Sequence, residues 1–380
     1  MPPTPPRPSD PASEATARRA DRERERVRRR RVLRRQRLLA LGLLALVLAA
    51  VALSFALASG GPTPSRHGHA GASADESAGS GTGSRAESPP SSSPPSSYAV
   101  GLRVLRLVDT SRTIELPNGT SEPRTLYTEV RYPALGAPGG SDLPDAPSAR
   151  ADGPFPLVIF GHGFDVTPAL YARLLQSWAR AGYVVAAPVF PLENADAPGG
   201  PDESDLINQP ADMRFVISRM LAASAGSGPL AGLIDPKRIA VAGQSDGGDT
   251  ALAVAYDPAY RDPRVSAAVI LSGAEIPGAG GFAFPPGGPP LLATQGTADT
   301  VNPPSATNAF FDAAQRPKYL LSLIGAEHLP PYSDQQPQLA IVERVSIAFL
   351  DGYLEHRPGV LRRLVSLGSV PGIASILAEP

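Results

Sequence analysis

The chain of 380 residues contains no cysteine. Disulfides, a thiolate nucleophile, Cys-ligated zinc and lipid attachment through Cys are therefore all excluded. Histidine is scarce as well, with five in the whole chain. Any histidine-dependent chemistry must use one of His67, His69, His162, His328 and His356. Charge is nearly balanced at a formal net value of -1, which argues against a nucleic-acid partner. The balance is uneven along the chain, because residues 1–37 hold 13 Arg against 5 Asp or Glu and the remainder is acidic.

What is abundant is apolar: 42% of residues are hydrophobic, enough for a sizeable core. Residues 38–58, LLALGLLALVLAAVALSFALA, run without a charge, and RRRRVLRRQR stands directly before them. Their 21 residues match the length needed to cross ~30 Å of hydrocarbon. We expect 1–37 to be a basic cytoplasmic tail and 38–58 a transmembrane signal-anchor. The rest of the chain is then extracytoplasmic, at the cell membrane. The alternative is secretion after cleavage near Ala58, where Ala56-Leu57-Ala58 fits a small-x-small pattern. Residues 59–97 are rich in Ser, Gly and Pro and read as a disordered linker, with His67 and His69 solvated in it.

From residue 98 to 380 the pattern is that of one folded catalytic domain. YAVGLRVLRLV and TLYTEVRYPA read as two strands joined at Pro117-Asn118-Gly119. Then short apolar runs alternate with helix-like stretches: FPLVIFGHG, YVVAAPVF, RIAVAGQS, VSAAVILSG, PLLATQG and YLLSLIG are the runs. Such alternation implies an α/β fold with a mostly parallel central sheet and helices on both faces. Its crevice lies at the carboxyl ends of the strands, so the residues after each run carry the chemistry. The last core helix is expected near QLAIVERVSIAFLDGYLEH, and residues 357–380 are expected to add a helical hairpin.

Gly243-Gln244-Ser245-Asp246-Gly247 fits G-x-S-x-G between a strand and a helix. Glycines two residues either side of the serine would remove side chains that collide with the neighbouring strand and helix. The hydroxyl needs a base. His67 and His69 fall in the linker, His162 precedes the first large helix and His356 ends the last one. His328, in GAEHLPPY after YLLSLIG, is the base at the correct sheet edge. The orienting acid is Asp299, in the loop after PLLATQG, with Glu275 after VSAAVILSG as the competitor. The oxyanion hole needs two backbone N–H groups. They are expected from Asp246, next to the serine, and from Phe164 in Gly161-His162-Gly163-Phe164, with His162 orienting that loop.

FGHGF, GQSDGG, GTADTVNPP and GAEHL, in this order and each after a predicted strand, resemble the α/β-hydrolase superfamily over about residues 98–356. VLRLVDTSR, RTLYTEVRYPA and NQPADMRFVISRM look most like the esterases related to platelet-activating-factor acetylhydrolases, chlorophyllases and cutinase-like polyester hydrolases. The resemblance implies the α/β-hydrolase fold without a large cap domain, and a serine carboxylic-ester hydrolase acting through an acyl-enzyme. It carries the triad to Ser245, Asp299 and His328 and the oxyanion donors to Phe164 and Asp246. Serine acyl transfer needs only water as second substrate, so no metal or organic cofactor is expected, and with no insertion long enough for a large cap domain an open cleft for small or medium esters is expected. Two departures stand out: Gln244 replaces the histidine common before the serine, and Asp246 puts a carboxylate beside the nucleophile. A peptidase of the same fold and a catalytically silent tethered binding protein are the alternative functions. Residues 192–209 and 274–289 are the long loops bordering the cleft, with Phe282 and Phe284 available to apolar groups.

Overall fold

Strands β4, Phe155–Gly161, and β7, Val265–Leu271, are apolar over nearly their full length because both faces of the sheet are covered. The computed structural model describes residues 97–276 and 282–380. The expected tail, the apolar run 38–58 and the linker up to residue 96 lie outside the described residues. Among the described residues, no helix is long and apolar enough to cross a membrane.

The described chain opens with a long antiparallel hairpin, β1 (Ala99–Glu115) and β2 (Ser121–Ala134). Its turn lies where Pro117-Asn118-Gly119 predicts it. Asn118 Oδ1 accepts the Thr120 N–H at 3.0 Å, and Gly119 has φ of 81°. A two-residue strand β3, Leu143–Pro144, pairs with β1. After β4 come β5 (Val184–Pro188), β6 (Ile234–Gln244), β7, β8 (Leu291–Gly296) and β9 (Lys318–Leu323). Strands β4 to β9 are mutually parallel, and with the C-terminal strand β10 (Ala374–Glu379) the sheet order is β10-β9-β8-β7-β6-β4-β5-β2-β1-β3.

That order creates the site. The chain leaves β4 for β5 on one side, then returns across β4 to β6 and continues outward to β7. The strand order therefore reverses between β4 and β6, and a crevice opens outside their carboxyl ends. One face of the sheet is packed by α1 (Ala172–Arg180), α5 (Pro330–Ser333), α6 (Gln338–Tyr353) and α7 (Val360–Gly368). The other is packed by α2 (Gln209–Ala225), α3 (Asp246–Tyr256) and α4 (Pro304–Ala313). The expected mostly parallel sheet with helices on both faces is the observed architecture.

The C-terminal segment corrects one expectation. Residues 357–380 form α7 and then strand β10, Ala374–Glu379, not a helical hairpin. The helix stops at Gly368, and a turn at Pro371-Gly372, with Gly372 at φ of 72°, redirects the chain. The six residues that follow pair antiparallel along β9, from Ala374 opposite Leu323 to Glu379 opposite Lys318. They cover an edge whose N–H and C=O groups would otherwise stand open.

The hairpin is tied to the crevice by a buried ionic cluster. Arg124, 2% exposed, reaches Asp205 Oδ2 at 2.6 Å and both oxygens of Asp212 at 2.6 Å each. Arg112 joins the same Asp212 at 2.7 Å and Asp109 at 2.7 Å. Asp205 stands in a short 3₁₀ turn, Glu203–Asn208, and Asp212 in the first turn of α2. One guanidinium therefore fixes the loop between β5 and α2 against β2. Removing one partner of a buried ion cluster strands the others without water. Arg124→Ala is expected to lower unfolding stability by about 3–5 kcal/mol. Urea titration of the purified variant beside the parent measures this, and a loss under about 1 kcal/mol would show that solvent enters the cluster freely.

Candidate active site

Ser245 occupies the turn between β6 and α3 at φ of 56° and ψ of -128°, a conformation L-residues adopt only under constraint. The constraint is lack of room. A Cβ on Gly243 would run into the carbonyl of Gly247, and a Cβ on Gly247 into the carbonyl of Gly161. The Ser245 N–H bonds to Leu271 O at 3.0 Å, fastening the turn to the end of β7. The side chain is left at the lip of the crevice, with the residue 7% exposed.

His328 follows β9 and meets this serine: its Nε2 lies 2.8 Å from Ser245 Oγ. Its Nδ1 lies 2.8 Å from Asp299 Oδ2. The carboxylate can only accept, so Nδ1 carries the proton and Nε2 is free to accept from the serine hydroxyl. Asp299 follows β8 and is 3% exposed. Its Oδ1 accepts the N–H groups of Val301 at 2.9 Å and Asn302 at 3.0 Å, and its Oδ2 also accepts Gln295 Nε2 at 3.2 Å. Burial pushes this carboxyl up, but the hydrogen bonds from His328, Val301 and Asn302 more than offset it and hold it below its ordinary value. Glu275 is exposed, and burial with the Asp257 charge raises its carboxyl. The hydrogen bonds of His328 run to Asp299, not to Glu275.

The loop after β4 closes the other wall. His162 is fully buried, and its Nε2 accepts the Phe190 N–H at 3.0 Å. An N–H can only donate, so Nδ1 bears the imidazole proton and donates to Gly163 O at 2.8 Å. Burial, opposed only by the Gly163 bond, lowers this histidine to about 4. It is a neutral strut between two loops, as its place in FGHGF predicts. Phe164 is half-buried, and its N–H meets no acceptor among the described residues. Asp246 opens α3, so its N–H has no partner within the helix. These are the two donors expected for the oxyanion hole.

A family model described as Chlorophyllase matches residues 145–275. That stretch runs from before β4 through β7 and includes Ser245 but neither Asp299 nor His328. Among solved structures, a ferulic acid esterase from Streptomyces cinnamoneus is similar over 71% of this chain and 94% of that one. Its TM-score is 0.52 and its sequence identity 22%. No curated protein matches the chain. The chain has the α/β-hydrolase fold.

The sequence singled out Gln244 but gave no sign of the partners that support this site. Gln244 occupies the position before the serine, and its Oε1 accepts from Tyr171 OH at 2.7 Å. Tyr171 OH in turn accepts the Gly163 N–H at 3.3 Å. The Gln244 Nε2 donates to His328 O at 3.1 Å, which fixes the amide orientation, since that carbonyl requires a donor. One glutamine thus connects the loop after β4 to the loop that carries His328. Tyr332 anchors the same His328 loop from behind, 2.9 Å from Ser272 Oγ and 3.2 Å from Thr294 Oγ1. Phe284 lies against Tyr256, with ring centroids 4.9 Å apart, and Phe282 packs near Leu206, Ala253 and Ile276. Both aromatics are spent on the domain itself.

His162 gives the site a pH-dependent foundation. In the unfolded chain it takes up a proton near its ordinary 6.5, but in the fold only near about 4. Its contribution is present in full above about 6.5 and is withdrawn as pH falls from there to about 4. That window corresponds to about 3 kcal/mol. The stability advantage of the parent over His162→Asn should therefore shrink as pH falls through this window, in urea titrations at matched pH. An advantage that stays constant would mean His162 gains a proton in the fold as readily as in the unfolded chain.

Proposed function

We propose that this chain is a serine hydrolase of carboxylic esters, working through an acyl-enzyme. The observation that carries this is the unbroken chain Ser245 Oγ, His328 Nε2, His328 Nδ1 and Asp299 Oδ2, with 2.8 Å at each hydrogen bond. His328 takes the serine proton as Oγ attacks the ester carbonyl, and Asp299 stabilises the imidazolium that forms. The carbonyl oxygen becomes an oxyanion facing the Phe164 and Asp246 N–H groups, at the N-terminus of α3, where the helix dipole favours negative charge. His328 then protonates the departing alcohol. Water, deprotonated by the same histidine, releases the acid and restores the serine.

The chlorophyllase match and the esterase neighbour support esters over peptides. Small and medium esters fit a domain in which Phe282 and Phe284 pack on the core. Supporting a membrane-anchored, extracytoplasmic enzyme are the 21 uncharged residues of 38–58 and the arginines directly before them.

The test is hydrolysis of p-nitrophenyl esters of increasing acyl length by the full chain. Ser245→Ala should lose at least ~10³-fold in kcat. Labelling by a fluorophosphonate should vanish with the serine. Equal rates in parent and variant, with no labelling of either, would sink the activated-serine reading and favour a silent binding protein. The two acids separate in the same assay. Asp299→Asn should lower kcat by about 10³–10⁴-fold, since the histidine then takes the wrong tautomer. Glu275→Gln should stay within about threefold of the parent. The reverse pattern would give the role to Glu275.

A further inference from the structure

Glu193 lies in the loop between β5 and α2, and its side chain is fully buried. No N–H or O–H group of any other described residue reaches either of its carboxyl oxygens, nor Asp246 Oδ2. The two carboxyl groups instead lie within hydrogen-bonding reach of each other. Two carboxylates in contact cannot both ionise, so one of them must hold a proton. Burial above all, and then the charge and hydrogen bond of Asp246, push the Glu193 carboxyl up to about 11. Asp205 and Glu203 add negative potential from the 3₁₀ turn, and Asp249 stands near Asp246 on α3. Glu193 is therefore the neutral acid at physiological pH, and Asp246 the acceptor.

The main chain of Glu193 has a separate task. Its carbonyl accepts the Asp165 N–H at 3.0 Å, one residue beyond Phe164. The surrounding loop is held as well. Phe190 N–H donates to His162, Ala195 N–H donates to Val166 O at 3.4 Å, and Asn194 Nδ2 donates to Phe190 O at 2.7 Å. One residue thus grips both walls of the expected oxyanion hole, through its carbonyl on the Phe164 side and its carboxyl on the Asp246 side.

We infer that Glu193 is a positioning residue for the oxyanion hole, its buried acid proton donated to Asp246 so that the N–H groups of Phe164 and Asp246 keep a fixed separation. This rests on the serine-esterase reading above. It predicts a particular failure. Asp246 is half-buried, but its Oδ2 is buried; without the Glu193 donor that oxygen faces no partner, and the turn carrying the Asp246 N–H shifts. An interaction realised mainly in the transition state is then lost, which lowers kcat and leaves KM.

The experiment compares full-length parent, Glu193→Leu and Glu193→Gln. The leucine variant should lose at least about tenfold in kcat, with KM within about threefold, because small displacements of oxyanion donors are costly. Its phosphonylation by a fluorophosphonate should slow in parallel, since the phosphonyl oxygen uses the same hole. The glutamine variant keeps the size and an N–H donor, and should return to within about threefold of the parent. Infrared spectra at neutral pH should show a protonated-carboxyl band in the parent, with one component missing from Glu193→Gln. This measurement stands even if the leucine variant does not fold. A folded leucine variant with parental kcat would overturn the inference, as would a glutamine variant no better than leucine, or a carboxyl band that glutamine leaves whole. A parent that hydrolyses no ester while Ser245 takes no fluorophosphonate would sink the esterase reading instead, and leave the infrared comparison to decide where the proton lies.

Discussion

The whole site depends on a close approach of backbone. The end of β4, the end of β6 and the first turn of α3 meet at Gly161, Gly243 and Gly247 with no side chain between them. The space is so tight that a methyl group at Gly243 or Gly247 would strike a carbonyl. This contact does three things at once. It forces the sharp turn that holds Ser245 at positive φ, at a cost on the order of 1–3 kcal/mol. It brings the loop after β4 beside the serine, where a Cβ on Gly163 would lie 3.0 Å from Ser245 Cβ. It also aims the N-terminus of α3 at the place where an oxyanion would form. The strain is borne by the core beneath, because β4, the Ile239–Gln244 half of β6 and nearly all of α3 are buried.

Around this junction the loops are braced against one another by hydrogen bonds. His162 links Gly163 to Phe190, Gln244 links Tyr171 to the His328 loop, and Asp299 gathers His328, Val301 and Asn302. Loops at a sheet edge are ordinarily its most mobile parts. These are tied at both ends of each crossing, so Ser245, His328 and Asp299 are held in hydrogen-bonded register by the fold itself. Farther out, Arg124 ties the β1–β2 hairpin to the loop between β5 and α2, and so to the segment that contains Glu193.

The residues that read clearly from sequence were those whose place follows from local pattern. Ser245 is bracketed by glycines, and Asp299 and His328 each come just after an apolar run. A parallel sheet collects all such positions at one edge, so order and elimination suffice to bring them together. Residues defined by remote partners had no such signal. Tyr171 and Gln244 are 73 positions apart, and Arg124 and Asp212 are 88 apart. Glu193 stands in a polar stretch where an acidic residue looks like solvated surface, and its burial is set by α3 and the loop after β4. Strand β10 was missed for a related reason. Ala374–Glu379 has little strand character by itself, and what makes it a strand is the open edge of β9.

The carboxylate beside the nucleophile has a physical resolution. As a general scale, a full negative charge ~4 Å from an oxyanion costs about 4 kcal/mol at an effective dielectric near 20, enough to cancel what one N–H donor contributes. A second charge on Glu193 would make matters worse. In the arrangement inferred above, the acid hydrogen of Glu193 points at the Asp246 carboxyl and draws it toward the β5–α2 loop. The backbone N–H of Asp246 is then free to face the substrate while its side chain faces away. In the proposed reaction Asp299, on the far side of His328, supplies a negative charge that stabilises the imidazolium formed with the oxyanion. The two acids are held differently: Asp299 accepts from His328, Val301 and Asn302, whereas Asp246 faces the buried carboxyl of Glu193.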